Sequence, residues 1–176
     1  MANKIVLWGY MGSGKSTVGQ ALATQIDYPF VDLDTHLEEE HSQSIASLFQ
    51  SHGAIGFRKI EQEALQQVLK MKSSMVISLG GGTPCYFDQA DILAQHPEVH
   101  VFYLKYSPKV LSERLFQERL TRPLIAHLET QELLEEFVAK HLFERSSFYD
   151  KAHHTVVCDQ KAVEQLVLEI KAFLHQ

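Results

Sequence analysis

Gly9-Tyr10-Met11-Gly12-Ser13-Gly14-Lys15-Ser16-Thr17 fits the spacing G-x-x-x-x-G-K-[ST]. The apolar run Ile5-Val6-Leu7-Trp8 precedes it, and Lys15–Ile26 reads as a helix after it. Strand, glycine-rich turn and helix form the context this spacing requires. The glycines let the backbone curl with its N–H groups pointing inward, which makes an anion nest. The helix N-terminus adds partial positive charge. Lys15 can reach the outer phosphates of a nucleotide as a point charge, and the Ser16 hydroxyl can ligate Mg²⁺. A plain glycine turn beside a surface lysine is the weaker reading, because spacing and context agree. No Asn-Lys-x-Asp guanine-recognition stretch occurs, which leaves adenine as the default base.

Working outward, short Val- and Ile-rich runs alternate with amphipathic patterns. Strands are expected at Lys4–Trp8, Phe30–Asp32, Met75–Leu79, Val99–Leu104 and Thr155–Cys158. Helices are expected at Lys15–Ile26, Ser44–Ser51, Phe57–Lys72, Asp88–Gln95, Pro108–Arg119, Thr130–Tyr149 and Lys161–Leu174. Continuous apolar strands alternating with helices predict an α/β fold, a buried parallel sheet with helices on both faces. Ligands in such sheets bind beyond the carboxyl ends of the strands. No repeat or linker divides the 176 residues, so one domain over 1–176 is expected.

Composition narrows the function classes. Hydrophobic residues make up 45% of the chain, enough for a sizeable core, which excludes disorder as the main state. No apolar stretch approaches the roughly 20 residues a spanning helix needs, so no membrane partner is expected. The formal charge of -6 argues against a dedicated nucleic-acid binder. An anionic ligand must then be held by a few placed cations. Two cysteines, Cys85 and Cys158, are too few for a disulfide framework. With no secretory signal visible, a reducing, cytoplasmic location is expected. The ten histidines show no HExxH pattern and no CxxC occurs, so no protein-held transition metal is expected.

Further candidates fall at the expected strand ends. In Phe30-Val31-Asp32-Leu33-Asp34, alternation along an extended segment would point Asp32 and Asp34 the same way. One carboxylate could orient Mg²⁺ and the other accept a proton from a hydroxyl. Equally, Asp34 could cap a helix over Thr35–Glu40. Arg58 and Glu61 are spaced i, i+3 and can pair. Glu61 would then hold Arg58 for a forked bond to a substrate carboxylate, where the plainer reading is a surface ion pair. Gly80-Gly81-Gly82 exceeds what a turn needs and suits close approach of a ligand to backbone, a flexible loop being the lesser alternative. Arg119-Leu120-Thr121-Arg122-Pro123-Leu124 reads as a lid carrying two arginines, or as a solvated helix end. Arg145 lies on the long helix that follows.

Together these residues resemble the shikimate kinase family of small P-loop kinases, over about Val6 to Gln160. The phosphate loop, Phe-x-Asp-x-Asp, Phe-Arg-x-x-Glu, the glycine triplet and Arg-Pro-Leu stand in the family's order at similar spacings. The resemblance implies a three-layer fold with a five-stranded parallel sheet in order 2-3-1-4-5. It implies transfer of the ATP γ-phosphate to the 3-hydroxyl of shikimate, on the pathway to chorismate and the aromatic amino acids, by a monomer with no nucleic-acid partner. By matching motif, Gly12, Ser13, Gly14, Lys15, Ser16 and Thr17 would hold the phosphates, with Ser16 and Asp32 at Mg²⁺. Asp34 would bind the substrate's hydroxyls and serve as base or orienting group. Arg58, Arg145 and Gly81 would form the shikimate pocket. Arg122 would be the lid arginine, in a lid of roughly residues 112–126, with Arg119 and Gln160 on the nucleotide side. Three positions differ from the usual pattern. Gly53-Ala54 stands where the family often has Gly-Glu, leaving the arginines to be oriented by Glu61. The lid contains Phe116 and Leu120 and no glycine. Ser146-Ser147 replace a more usual Asn-Pro. Gluconate kinase is the nearest alternative enzyme, although the Asp32/Asp34 pair and Phe57–Glu61 fit it poorly. A non-catalytic nucleotide switch is an alternative from a different class.

Overall fold

In a computed structural model that describes residues 3–174, β1 (Lys4–Trp8) is buried along its whole length. It holds the centre of a five-stranded parallel sheet in the order β2-β3-β1-β4-β5. The other strands are β2 (Phe30–Asp32), β3 (Met75–Ser78), β4 (Val99–Lys105) and β5 (His154–Val157). All pairs are parallel, with Leu7 opposite Ser78 on one side and Phe102 on the other. The sheet order matches that of the family resemblance.

Alternation along β1 divides the interior into two cores. Ile5 and Leu7 face one side with Val18, Leu22, Phe102, Leu111 and Leu166. Val6 and Trp8 face the other with Leu37, Phe57, Leu65, Val101 and Tyr149. The first core draws on α1 (Lys15–Ile26), α5 (Pro108–Glu118), the first half of α6 (Gln131–Tyr149) and α7 (Val163–Leu174). The second draws on α2 (Leu33–His41), α3 (Ile45–Lys70) and α4 (Gln89–Gln95). No helix among the described residues is long and apolar enough to cross a membrane.

Two sequence expectations change. The helices expected at Ser44–Ser51 and Phe57–Lys72 form one run, α3, broken only at Gly53, whose φ of 68° and ψ of 174° interrupt the helix. That conformation is open to glycine and costly for residues with a Cβ. The segment Asp32-Leu33-Asp34 is not extended throughout. β2 ends at Asp32, and Asp34 already lies in the first turn of α2. The helix cap is Asp32, whose Oδ1 accepts from the Asp34 and Thr35 N–H groups at 3.1 and 3.2 Å. Asp34 therefore reaches the sheet's carboxyl end by helix geometry, not by strand alternation.

Candidate active site

A cavity of about 460 Å³ opens beyond the carboxyl ends of β1, β2 and β3. Its walls include Gly12, Gly14, Lys15, Ser16, Thr17, Asp32, Asp34, Gly80, Gly81 and Arg122. The phosphate loop turns from β1 into α1, so the first helical residue, Lys15, stands at its mouth. Lys15 Nζ donates to the carbonyls of Gly9 at 2.9 Å and Tyr10 at 3.0 Å, and lies 3.4 Å from Ser13 Oγ. Burial lowers its pKa to about 8, against the opposing pull of Asp34 and Asp32. Ser13 is wholly buried beneath it, so its part in this loop is structural as well as any contact through its backbone.

The Ser16 hydroxyl donates to Asp32 Oδ2 at 2.5 Å. Asp32 thus joins α2 to α1 with both oxygens: one caps a helix, the other meets Ser16. The oxygen-only donor set of Ser16 and Asp32 fits Mg²⁺, a hard cation that takes few protein ligands and keeps several waters. Among the described residues no group of three or more His, Cys, Asp or Glu stands together as a metal cluster. Asp34 faces the same cavity, and its pKa is raised to about 6 by burial first, then by the Glu61 and Asp32 charges. Lys15 and Arg58 offset part of that rise. A carboxyl tuned into this range can exchange a proton near neutral pH.

The second half of the site is built around the glycine triplet. Arg58 Nη1 donates to Glu61 Oε2 at 2.7 Å, and Thr83 Oγ1 donates to Glu61 Oε1 at 2.7 Å. Glu61 is 2% exposed, so this pair is not the surface ion pair that sequence spacing alone also allowed. The triplet is tight for the protein's own sake. A Cβ at Gly82 would stand 2.3 Å from Arg58 Nη2, and one at Gly81 would stand 3.1 Å from the Met11 backbone nitrogen. Close approach is real, but the partners are the arginine and the phosphate loop itself. Arg145, on the last turns of α6, has its guanidinium 5.6 Å from the centre of the Tyr10 ring. Four residues on, the buried Tyr149 donates its hydroxyl to the Gly81 carbonyl at 2.5 Å. Burial raises the pKa of the Cys85 thiol, and the charges of Arg145 and Arg58 both pull against that rise. Neither belongs to the walls of the 460 Å³ cavity.

The segment read as a lid begins on α5 and passes through a 3₁₀ turn at Arg119–Thr121. Arg122 Nη2 bonds Glu118 Oε2 at 2.7 Å, and both residues line the cavity. Arg119 does not line it: its guanidinium donates to the Phe116 carbonyl at 2.9 Å and lies over the Phe116 ring at 4.1 Å. Both contacts are to Phe116, which holds it there. Gln160 sits in a left-handed turn after β5 with φ of 61°, likewise apart from the cavity walls. Arg114 was not singled out by sequence. It lines the cavity, reaches the Gly12 carbonyl at 3.4 Å and lies 4.3 Å from the centre of the Tyr106 ring. The signal was present, since Arg114, Glu118 and Arg122 recur at intervals of four. Thr83 gave no such signal, because its partner lies 22 residues away.

A family model described as shikimate kinase matches residues 11–175. The chain is 43% identical to a shikimate kinase of Flavobacterium johnsoniae, over 95% of this chain and 96% of that one. A crystal structure of a shikimate kinase from Bacteroides thetaiotaomicron superposes with a TM-score of 0.86, at 31% identity and 99% coverage of both chains. A shikimate kinase from Acinetobacter baumannii in complex with shikimate gives 0.85, at 29% identity, over 99% of this chain and 94% of that one.

Proposed function

The chain belongs to the shikimate kinase family, and from that premise we propose how its own residues phosphorylate the 3-hydroxyl of shikimate with ATP. The observation that carries the assignment of roles is the facing of Lys15 and Asp34 across one cavity, each with its pKa moved toward neutrality. A cation for the transferring phosphoryl group and a carboxylate for the attacking hydroxyl thus share one space.

The loop Gly12–Thr17 takes the phosphates through its backbone N–H groups. Lys15 exchanges its carbonyl partners for phosphate oxygens, and Arg122 and Arg114 approach from the lid. Ser16 and Asp32 hold Mg²⁺, which when bound supplies neutralisation of phosphate charge. Arg58 and Arg145 grip the shikimate carboxylate, with Gly81 beside them, and this fixes the 3-hydroxyl near Asp34. The hydroxyl oxygen forms a bond to the γ-phosphorus, the bond to the ADP oxygen breaks, and Asp34 receives the hydroxyl proton. Positioning and charge neutralisation do most of the catalysis in such transfers. Arg119 and Gln160 meet the nucleotide from outside the cavity walls. The unit is one domain with a lid over about 112–126, working as a monomer in the cytoplasm without nucleic-acid or membrane partners.

The deciding experiment measures ADP production with shikimate, gluconate or no acceptor. Shikimate-dependent release supports the reading. Release that requires gluconate points to the other small-acid kinase, and slow release indifferent to acceptor points to a nucleotide switch.

A further inference from the structure

Glu61, 2% exposed, is the most deeply buried carboxylate among the described residues, and both its oxygens are committed. Oε2 takes Arg58 Nη1 and Oε1 takes the Thr83 hydroxyl, each at 2.7 Å. A buried carboxylate is tolerated, and fixed in direction, where such bonds hold it. Thr83 is itself 1% exposed and opens the 3₁₀ turn after the triplet. Its N–H donates to the Gly80 carbonyl at 3.2 Å and Pro84 follows, so its hydroxyl starts from a fixed backbone.

On the far side of Glu61, the Arg58 guanidinium lies among three rings, at 4.8 Å from Tyr86, 5.2 Å from Phe57 and 5.6 Å from Phe49. Ring faces attract a cation but do not fix its rotation within its own plane. The Glu61 bond does, and it decides which nitrogens turn outward. Ala54, where the family often carries a carboxylate, is exposed and offers no second anchor. Orientation of Arg58 therefore does not rest on Glu61 alone, as the sequence suggested, but on Glu61 held by Thr83.

We propose that Thr83 is a positioning residue for substrate binding. Its hydroxyl locks Glu61, Glu61 locks Arg58, and the guanidinium fork meets the substrate carboxylate already oriented. Pre-organisation of this kind raises affinity by removing an ordering cost at binding. The proposal rests on the reading of Arg58 as the carboxylate grip.

The test compares Thr83→Val, which keeps the shape and loses the donor, with Thr83→Ser, which keeps the donor. Thr83→Ala replaces the valine variant if that one does not fold. KM for shikimate, KM for ATP, kcat and Tm are measured for each, beside Arg58→Lys as a control. Loss of the donor raises the shikimate KM by about ten- to 150-fold, the range for a hydrogen bond to a charged group, and leaves the ATP KM within about twofold. Thr83→Ser restores the shikimate KM. Adding Thr83→Val to Arg58→Lys produces little further change, because the two act in one chain. A lower Tm with an unchanged shikimate KM, or both KM values rising together, overturns the proposal and leaves Thr83 a packing residue. If Arg58→Lys itself leaves the shikimate KM unchanged, the grip reading fails, and the relay through Arg58 fails with it.

Discussion

Arg122 Nη2 is bonded to Glu118 Oε2 at 2.7 Å, one turn earlier, while the buried Arg122 Nε has no partner among the described residues. The arginine proposed to meet the nucleotide is thus paired with a carboxylate that faces the same cavity. On that proposal a nucleotide phosphate displaces the carboxylate or accepts its repulsion. The pair is partly exposed, 35% and 61% on its two sides, so its worth is modest, at most about 1 kcal/mol. Glu118→Gln is expected to lower the KM for ATP by about two- to fivefold and to leave the shikimate KM unchanged. Weaker ATP binding in this variant would mean that Glu118 holds Arg122 in its working position.

Asp34 carries opposite consequences for stability and turnover. Its folded pKa of about 6 lies above the ordinary 3.8, with burial the main cause. Between roughly pH 4 and 6 the native state binds more protons than the unfolded chain, so this group's contribution to stability falls as pH rises through that window. At pH 7 the penalty is fully present, of order 1–3 kcal/mol. Asp34→Asn is expected to raise Tm at pH 7 and to lower kcat by about 10²–10⁴. Near-normal turnover removes Asp34 from the proton-accepting role, and an unchanged Tm contradicts the cost of its charge.

The pH profile follows from two groups. In the proposed reaction Asp34, facing Glu61, Asp32, Lys15 and Arg58, is ionised to accept a proton, and Lys15, facing Asp34, Asp32, Arg122 and Arg145, is protonated to neutralise phosphate. The plot of kcat/KM against pH is expected to be a bell with limbs near pH 6 and 8 for the free enzyme. In Lys15→Arg the alkaline limb moves upward. A limb that stays in place in that variant assigns it to another group.

Gly82→Ala tests the seat of Arg58. The added Cβ meets the Arg58 guanidinium at 2.3 Å, so the side chain must leave its place beside the buried Glu61. The expected result is a lower Tm, because a buried ion pair is disturbed, with a rise of tenfold or more in the KM for shikimate and an ATP KM near normal. Equal effects on both substrates would place the damage in the phosphate loop instead.

The phosphate loop and the alternation of strands and helices were legible because each depends on neighbours in sequence. Gly9–Thr17 needs only its own spacing, and the strand ends were read to within about two residues. Asp34 was placed correctly in the cavity for a mistaken reason. Alternation assumed an extended segment, whereas the Asp32 cap turns the chain directly into α2 at Leu33. Arg119 and Arg122 look alike in sequence, yet Phe116 holds one outside and Glu118 keeps the other at the cavity wall.

The sequence by itself therefore determined the fold, the anion nest and the set of charged groups available to it, because spacing along the chain dictates local backbone geometry. Tertiary structure alone decided which of those charges share a cavity, that Asp34 and Lys15 are buried enough to titrate near neutrality, and that Thr83 stands behind Glu61 and Arg58. Burial and hydrogen bonding between residues 22 or more apart depend on how β3 packs against the helices, and no local spacing records that.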